Sequence, residues 1–129
     1  MIDLAFHHVA IIVSNYDVSK TFYTQTLGLP VVRESYREAR KSWKLDLKMG
    51  EAGQLEIFSF PEPPVRPTRP EACGLRHLAL RIDDLDTCLR ELTSKGVVAE
   101  PVRIDEYTGA RFTFFADPDG LPIELYEVR

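Results

Sequence analysis

Cysteine is scarce in this chain, with two residues, Cys73 and Cys88, among 129. They are too far apart for a CxxC site and too few for a disulfide framework, so reduced thiols are expected, with Cys88 on a helix face. Long apolar runs are missing as well. No stretch approaches the roughly 20 residues of a spanning helix, and the N-terminus has neither the charged start nor the long apolar core of a signal peptide. A cytoplasmic protein without a membrane partner is therefore the expectation. Nor is there an excess of positive charge: 16 Lys plus Arg against 20 Asp plus Glu leave a net charge of −4, which gives nucleic acid no electrostatic reason to bind. What remains is an ordinary globular composition, 44% hydrophobic and 28% charged, of a length suited to a single domain.

Taken in order, FHHVAIIV (Phe6 to Val13) is β-branched and apolar, which predicts a strand. Asn15 and Asp17 offer helix caps, Val18 and Phe22 begin an apolar helix face, and Gly28 stops the helix. A second strand is expected over Leu29 to Arg33, then the locally basic REARKSWK, then a hairpin of Leu45 to Met49 and Gln54 to Phe60 around Gly50 and Gly53. PEPPVRPTRP (Pro61 to Pro70) can be neither helix nor central strand and reads as a connector. Leu75 to Ile82 predicts another strand, Asp83 and Asp84 cap a helix with apolar face Leu85, Cys88, Leu89 and Leu92, and Lys95 with Gly96 close it. Val97 to Val102 is a further strand candidate. RFTFFADPDGLPIELY ends the chain as a hairpin whose turn is Asp117 to Gly120.

The two halves follow the same plan. His8 and His77 lie 69 positions apart, and Glu56 and Glu124 lie 68 apart, as an internal duplication requires. Strand parity adds to this. His8 shares its face with Ala10 and Ile12, His77 with Ala79, Glu56 with Phe58 and Phe60, and Glu124 with Tyr126. The faces apolar enough to lie under helices, Val9/Ile11/Val13 and Leu78/Leu80/Ile82, are the opposite ones. A carboxylate on a half-buried sheet face needs a cation or a metal. Two imidazoles and two carboxylates facing one cavity would suit Zn, Ni, Co, Mn or Fe(II).

FHHVAI, LEIF, LRHLAL and DPDGLPIELYE resemble the vicinal oxygen chelate superfamily, the group of glyoxalase I, extradiol dioxygenases, fosfomycin resistance proteins and methylmalonyl-CoA epimerase. The resemblance covers nearly the whole chain, and DPDG-x-x-IEL is its most specific motif. It implies an α+β fold of two tandem βαβββ modules whose eight strands form a cup-shaped sheet around one divalent transition metal. Module one would span about residues 4–60, the connector about 61–72 and module two about 73–129. The pattern His8, Glu56, His77 and Glu124 is most similar to the metal ligands of glyoxalase I. That likeness implies a lyase or isomerase acting on a small α-hydroxycarbonyl through an enediolate, with Glu124 the first choice of base and Glu56 the second. It also implies a small-molecule substrate and a homodimer.

Two positions depart from glyoxalase I, which usually carries an arginine four residues after its first histidine and an asparagine four after its first glutamate. Ile12 and Phe60 stand there in this chain, so a glutathione hemithioacetal loses its charge-assisted contact. A pocket lined by Phe58, Phe60, Phe115 and Tyr126 is expected instead, with Arg76, Arg81 and Arg111 the first basic residues to test for anion binding. Alternative readings are another metalloenzyme reaction of the same superfamily (epimerase, thiol transferase or dioxygenase), a ligand-sequestering binding protein, or a closed structural metal site.

Overall fold

Strand β1 (His8–Val13) buries alternate residues. Ile11 and Val13 are covered while His8, Ala10 and Ile12 are exposed, the split that its parity predicts. The computed structural model describes residues 1–129. After β1, Asn15 caps α1 (Tyr16–Thr21), its side chain accepting from the Val18 N–H at 3.2 Å. The helix continues as a π-type turn, Phe22–Thr26, and Gly28 reverses the chain at φ 75°. β2 (Val31–Arg37), β3 (Ser42–Met49) and β4 (Gly53–Ser59) follow. β4 pairs in parallel with β1 and antiparallel with β3, giving the mixed sheet β1-β4-β3-β2. Leu45, Leu47, Leu55, Ile57 and Tyr23 have no exposed surface and form its core. Each such side chain contributes about 1.5–3 kcal/mol by leaving water.

The same plan returns in the second half. β5 (Leu78–Ile82) leads to Asp84, whose carboxylate caps α2 (Leu85–Ser94) by accepting from the Thr87 N–H at 3.1 Å. β6 (Arg103–Ile104), β7 (Arg111–Ala116) and β8 (Pro122–Glu127) complete the sheet β5-β8-β7-β6. Its core is Leu85, Leu92, Phe115, Ile123 and Leu125. The β7–β8 turn is tied by Asp117, whose Oδ1 accepts from the backbone N–H groups of Asp119 at 2.8 Å and Leu121 at 2.9 Å.

The chain is thus α+β, two compact units, Met1–Val65 and Arg66–Arg129, each holding one four-stranded sheet. Residues 61–70 contain no helix or strand. One expected strand is corrected: Val97 to Val102 stays irregular, and pairing begins only at Arg103. Pro101 has no N–H to give a ladder, and before it Glu100 makes one backbone bond across, to the Phe114 carbonyl at 3.0 Å.

Candidate functional site

In the first unit the parallel register places Ala10 opposite Glu56. An alanine leaves room, and the His8 imidazole reaches across it so that Nε2 lies 3.4 Å from Glu56 Oε2. The other ring nitrogen of His8 is 2.8 Å from His7 Nδ1. Across β3, Asp46 is paired with Glu56 and Lys44 with Phe58. Lys44 Nζ holds Asp46 at 2.7 Å and stands 3.7 Å from Glu56. Asp46 is only 3% exposed, so this ammonium offsets a charge that would be costly alone.

In the second unit Ala79 stands opposite Glu124 in the same parallel register, and His77 Nε2 lies 3.2 Å from Glu124 Oε1. Here the imidazole packs edge-on against Phe114, centroids 5.1 Å apart, and Phe112 stacks on Tyr126 at 6.2 Å. Tyr126 Oη donates to Asp105 Oδ2 at 2.8 Å and also meets Thr108 Oγ1. The Thr108 bond draws the phenol's pKa down, but the Asp105 bond and burial outweigh it and the net shift is upward.

Phe58 and Phe60 fall on the face of Glu56, as parity predicts, stacked at 6.2 Å. Tyr126 falls on the face of Glu124, with Arg81 its exposed register partner on β5. Arg76 is exposed ahead of β5. Two expectations are corrected. Phe115 pairs with Ile123 and is 4% exposed, so it belongs to the core rather than to the Glu124 face. Arg111 also points the other way. It makes two hydrogen bonds to Glu127, at 3.0 and 2.9 Å, and two to Asp86, both 3.2 Å. Glu127 is the carboxylate of β8 that is buried, and it further accepts from the Leu85 N–H at the start of α2 at 2.9 Å. Arg111 first, and then that backbone donor, hold its pKa at about 2. Sequence reasoning missed Phe112, Phe114, Lys44 and Asp46 on the two glutamate faces. Counting back from the five-residue connection between Ala116 and Pro122 would have found the first two, because it sets Phe114 against Glu124.

No group of three or more His, Cys, Asp and Glu side chains is clustered to hold a metal ion. What the structure does place together is two equivalent imidazole–carboxylate pairs. Their 3.2–3.4 Å spacings fit cis ligands of one first-row ion, since bonds of about 2.1 Å at right to tetrahedral angles put donors about 3.0–3.4 Å apart. Nitrogen with carboxylate oxygen is also the donor chemistry such ions take.

The profile described as Glyoxalase/Bleomycin resistance protein/Dioxygenase superfamily matches residues 5–125. The chain belongs to that superfamily. YaeR of Escherichia coli (strain K12) is similar to this superfamily member at 58% identity over 121 residues, 94% of each protein. The solved glyoxalase family protein from Enterococcus faecalis is 48% identical, with a TM-score of 0.89 over 95% of this chain and 97% of that one. At greater distance, a 2-epi-5-epi-valiolone epimerase from Actinomyces sp is 29% identical over 143 residues, 95% of this chain and 78% of that protein. A V278E glyoxalase I mutant from Zea mays, 21% identical, shares the fold at a TM-score of 0.79 over 94% of this chain and 43% of that one. No helix here is long and apolar enough to cross a membrane.

Proposed function

We propose that the protein is a metal-dependent enzyme of the glyoxalase I type, a lyase or isomerase for a small α-hydroxycarbonyl. The supporting observation is the equivalence of the His8–Glu56 and His77–Glu124 pairs, at 3.4 and 3.2 Å, in the same register of two sheets. The proposed donor set is those four residues, drawn from one chain or from two copies. A divalent ion (Zn, Ni, Co, Mn or Fe) would supply Lewis acidity toward the substrate's oxygens. The chain's own part is proton transfer. Glu124, half-buried beside His77, takes the proton from the hydroxyl-bearing carbon next to the carbonyl and returns it to the carbonyl carbon, while the hydroxyl proton passes to the former carbonyl oxygen. Glu56 is the second choice for that role, and the imidazoles hold each carboxylate in place. We further infer a cytoplasmic C2 homodimer, which light scattering of the metal-loaded protein tests.

Metal analysis of the purified protein, followed by turnover of methylglyoxal with different thiols in Ni, Co, Zn or Mn, tests the reading. Chelated protein that takes up no divalent ion would sink it, as would a Glu124→Gln variant with unchanged metal affinity and activity. A second reading, epimerisation at one carbon, is favoured by the 29% identical epimerase. Reaction in D2O separates the two: deuterium entering one carbon without proton transfer to its neighbour indicates the epimerase.

A further inference from the structure

The face that carries Glu56 also holds a guanidinium for which the first unit supplies no counter-charge. Ladder registers put Arg37 against Ser42 and Lys44 against Phe58 on that face. Arg37 Cζ stands 4.8 Å from the Phe58 centroid and 5.9 Å from that of Phe60. Its Nη2 donates to Ser42 Oγ at 3.0 Å, and its Nε is buried with no acceptor. The neighbouring cations are matched: Lys44 holds Asp46 at 2.7 Å, and Arg33 Nε lies 3.6 Å from the same carboxylate. The second unit shows the contrast. Arg103 lies over Phe112 and Phe114 at 5.0 and 5.4 Å but is paired with Glu100 at 2.5 Å.

A cation fixed against two rings and one hydroxyl, without a carboxylate, is prepared for an anion from outside. Guanidinium is weakly hydrated, stacks on aromatics and offers paired donors that match carboxylate or phosphate oxygens. Ile12, opposite Phe58 in the β1–β4 register, borders the place with apolar surface, which strengthens a charge-assisted contact.

We propose that Arg37, stacked on Phe58 and Phe60 and steadied by Ser42, binds the carboxylate or phosphate of a small ligand whose other end lies at His8 and Glu56. Phe58 follows Glu56 by two residues on the same strand face, a step of about 7 Å. That is the span of a small hydroxy- or keto-acid or its phosphate ester. The placement of the far end rests on the metal-site reading; anion binding at Arg37 does not.

The full-length, metal-free protein is titrated with sodium acetate and, separately, with inorganic phosphate at constant ionic strength, following the backbone amide signals of Ser42 and Phe58 and the Arg37 Nε–H. Saturable shifts at these positions are expected with at least one of the two anions, and which anion saturates names the source. Arg37→Met should weaken binding about tenfold or more. Arg37→Lys, which keeps the charge and the fold, should recover only part of it, and Lys95→Met, at the end of α2 beside Glu91, should leave it unchanged. No saturable shift with either anion overturns the proposal, as does equal binding by wild type and Arg37→Met. Because neither metal nor turnover is involved, failure of the isomerase reading leaves this result standing, and the reverse also holds.

Discussion

The two units part company at the positions paired with their glutamates. Asp46 faces Glu56 and Lys44 faces Phe58 in the first, whereas Phe114 faces Glu124 and Phe112 faces Tyr126 in the second. The strand beside the glutamate is charged in one sheet and aromatic in the other, yet the imidazole–carboxylate spacings differ by 0.2 Å. The spacing therefore comes from what the units share, a parallel register that sets an alanine beside each glutamate, and not from the neighbours. A second exchange lies at the next position along the same strands, 43 in the first unit and 111 in the second. The backbone N–H of Trp43 donates to the Ser59 hydroxyl at 2.9 Å where the second unit has the side-chain ion pair of Arg111 with Glu127. The duplicated frame tolerates different solutions wherever the pair itself is not touched.

The strongest test of that equivalence removes one carboxylate at a time. Glu56→Gln and Glu124→Gln should each weaken divalent-ion binding by about 10-fold to 100-fold or more, read by calorimetry with Zn and Ni. A large loss in one variant with none in the other would break the symmetry. A smaller effect is expected from the charged neighbours. Lys44→Met leaves Asp46 buried beside only the distant Arg33 and should destabilise by about 2–3 kcal/mol in urea melts, less than a fully buried pair because Lys44 keeps some exposure. Copying the second unit, with Lys44→Phe and Asp46→Phe together, should recover part of that loss; a double variant worse than the single would show that the aromatic solution is not transferable.

The ion pair of the second unit gives a pH test. A pKa of about 2 for Glu127 lies below the ordinary glutamate value of about 4.3. Its contribution is therefore complete above that ordinary value and lost as pH falls toward 2. Thermal melts should show wild type losing stability faster than Glu127→Gln over that window, with the variant several degrees lower at neutral pH. Parallel slopes for the two proteins would remove Glu127 from the account. The least effect is expected at Tyr126. Removing its hydroxyl with Tyr126→Phe breaks the bonds to Asp105 and Thr108 but spares the stack on Phe112, and should lower Tm by only a degree or two while raising amide exchange at Thr108.

Much of this arrangement is legible in the order of the amino acids. The caps Asn15 and Asp84, the reversals at Gly28 and Gly96, and the faces of His8, Glu56, His77 and Glu124 all follow from local chemistry and a period of two. Phe115 and Arg111 were not legible in that way. Which residue of β7 stands opposite Glu124 depends on how many residues the connection consumes, and a shift of one sends each side chain to the other face. Val97 to Val102 failed for a related reason: strand propensity there lacks the donors and the partner that pairing needs.

By itself, then, the sequence determined the duplicated α+β plan and the superfamily, and it singled out His8, Glu56, His77 and Glu124 as the proposed metal ligands, because each of these is a matter of residue type at fixed spacing. Only the tertiary structure decided which groups surround them. It moved Arg111 to Glu127, set Lys44 between Asp46 and Glu56, and left Arg37 over two rings without a carboxylate. Such partnerships join strands far apart in sequence, and the register that makes them is fixed by packing of the opposite, buried faces rather than by any local signal.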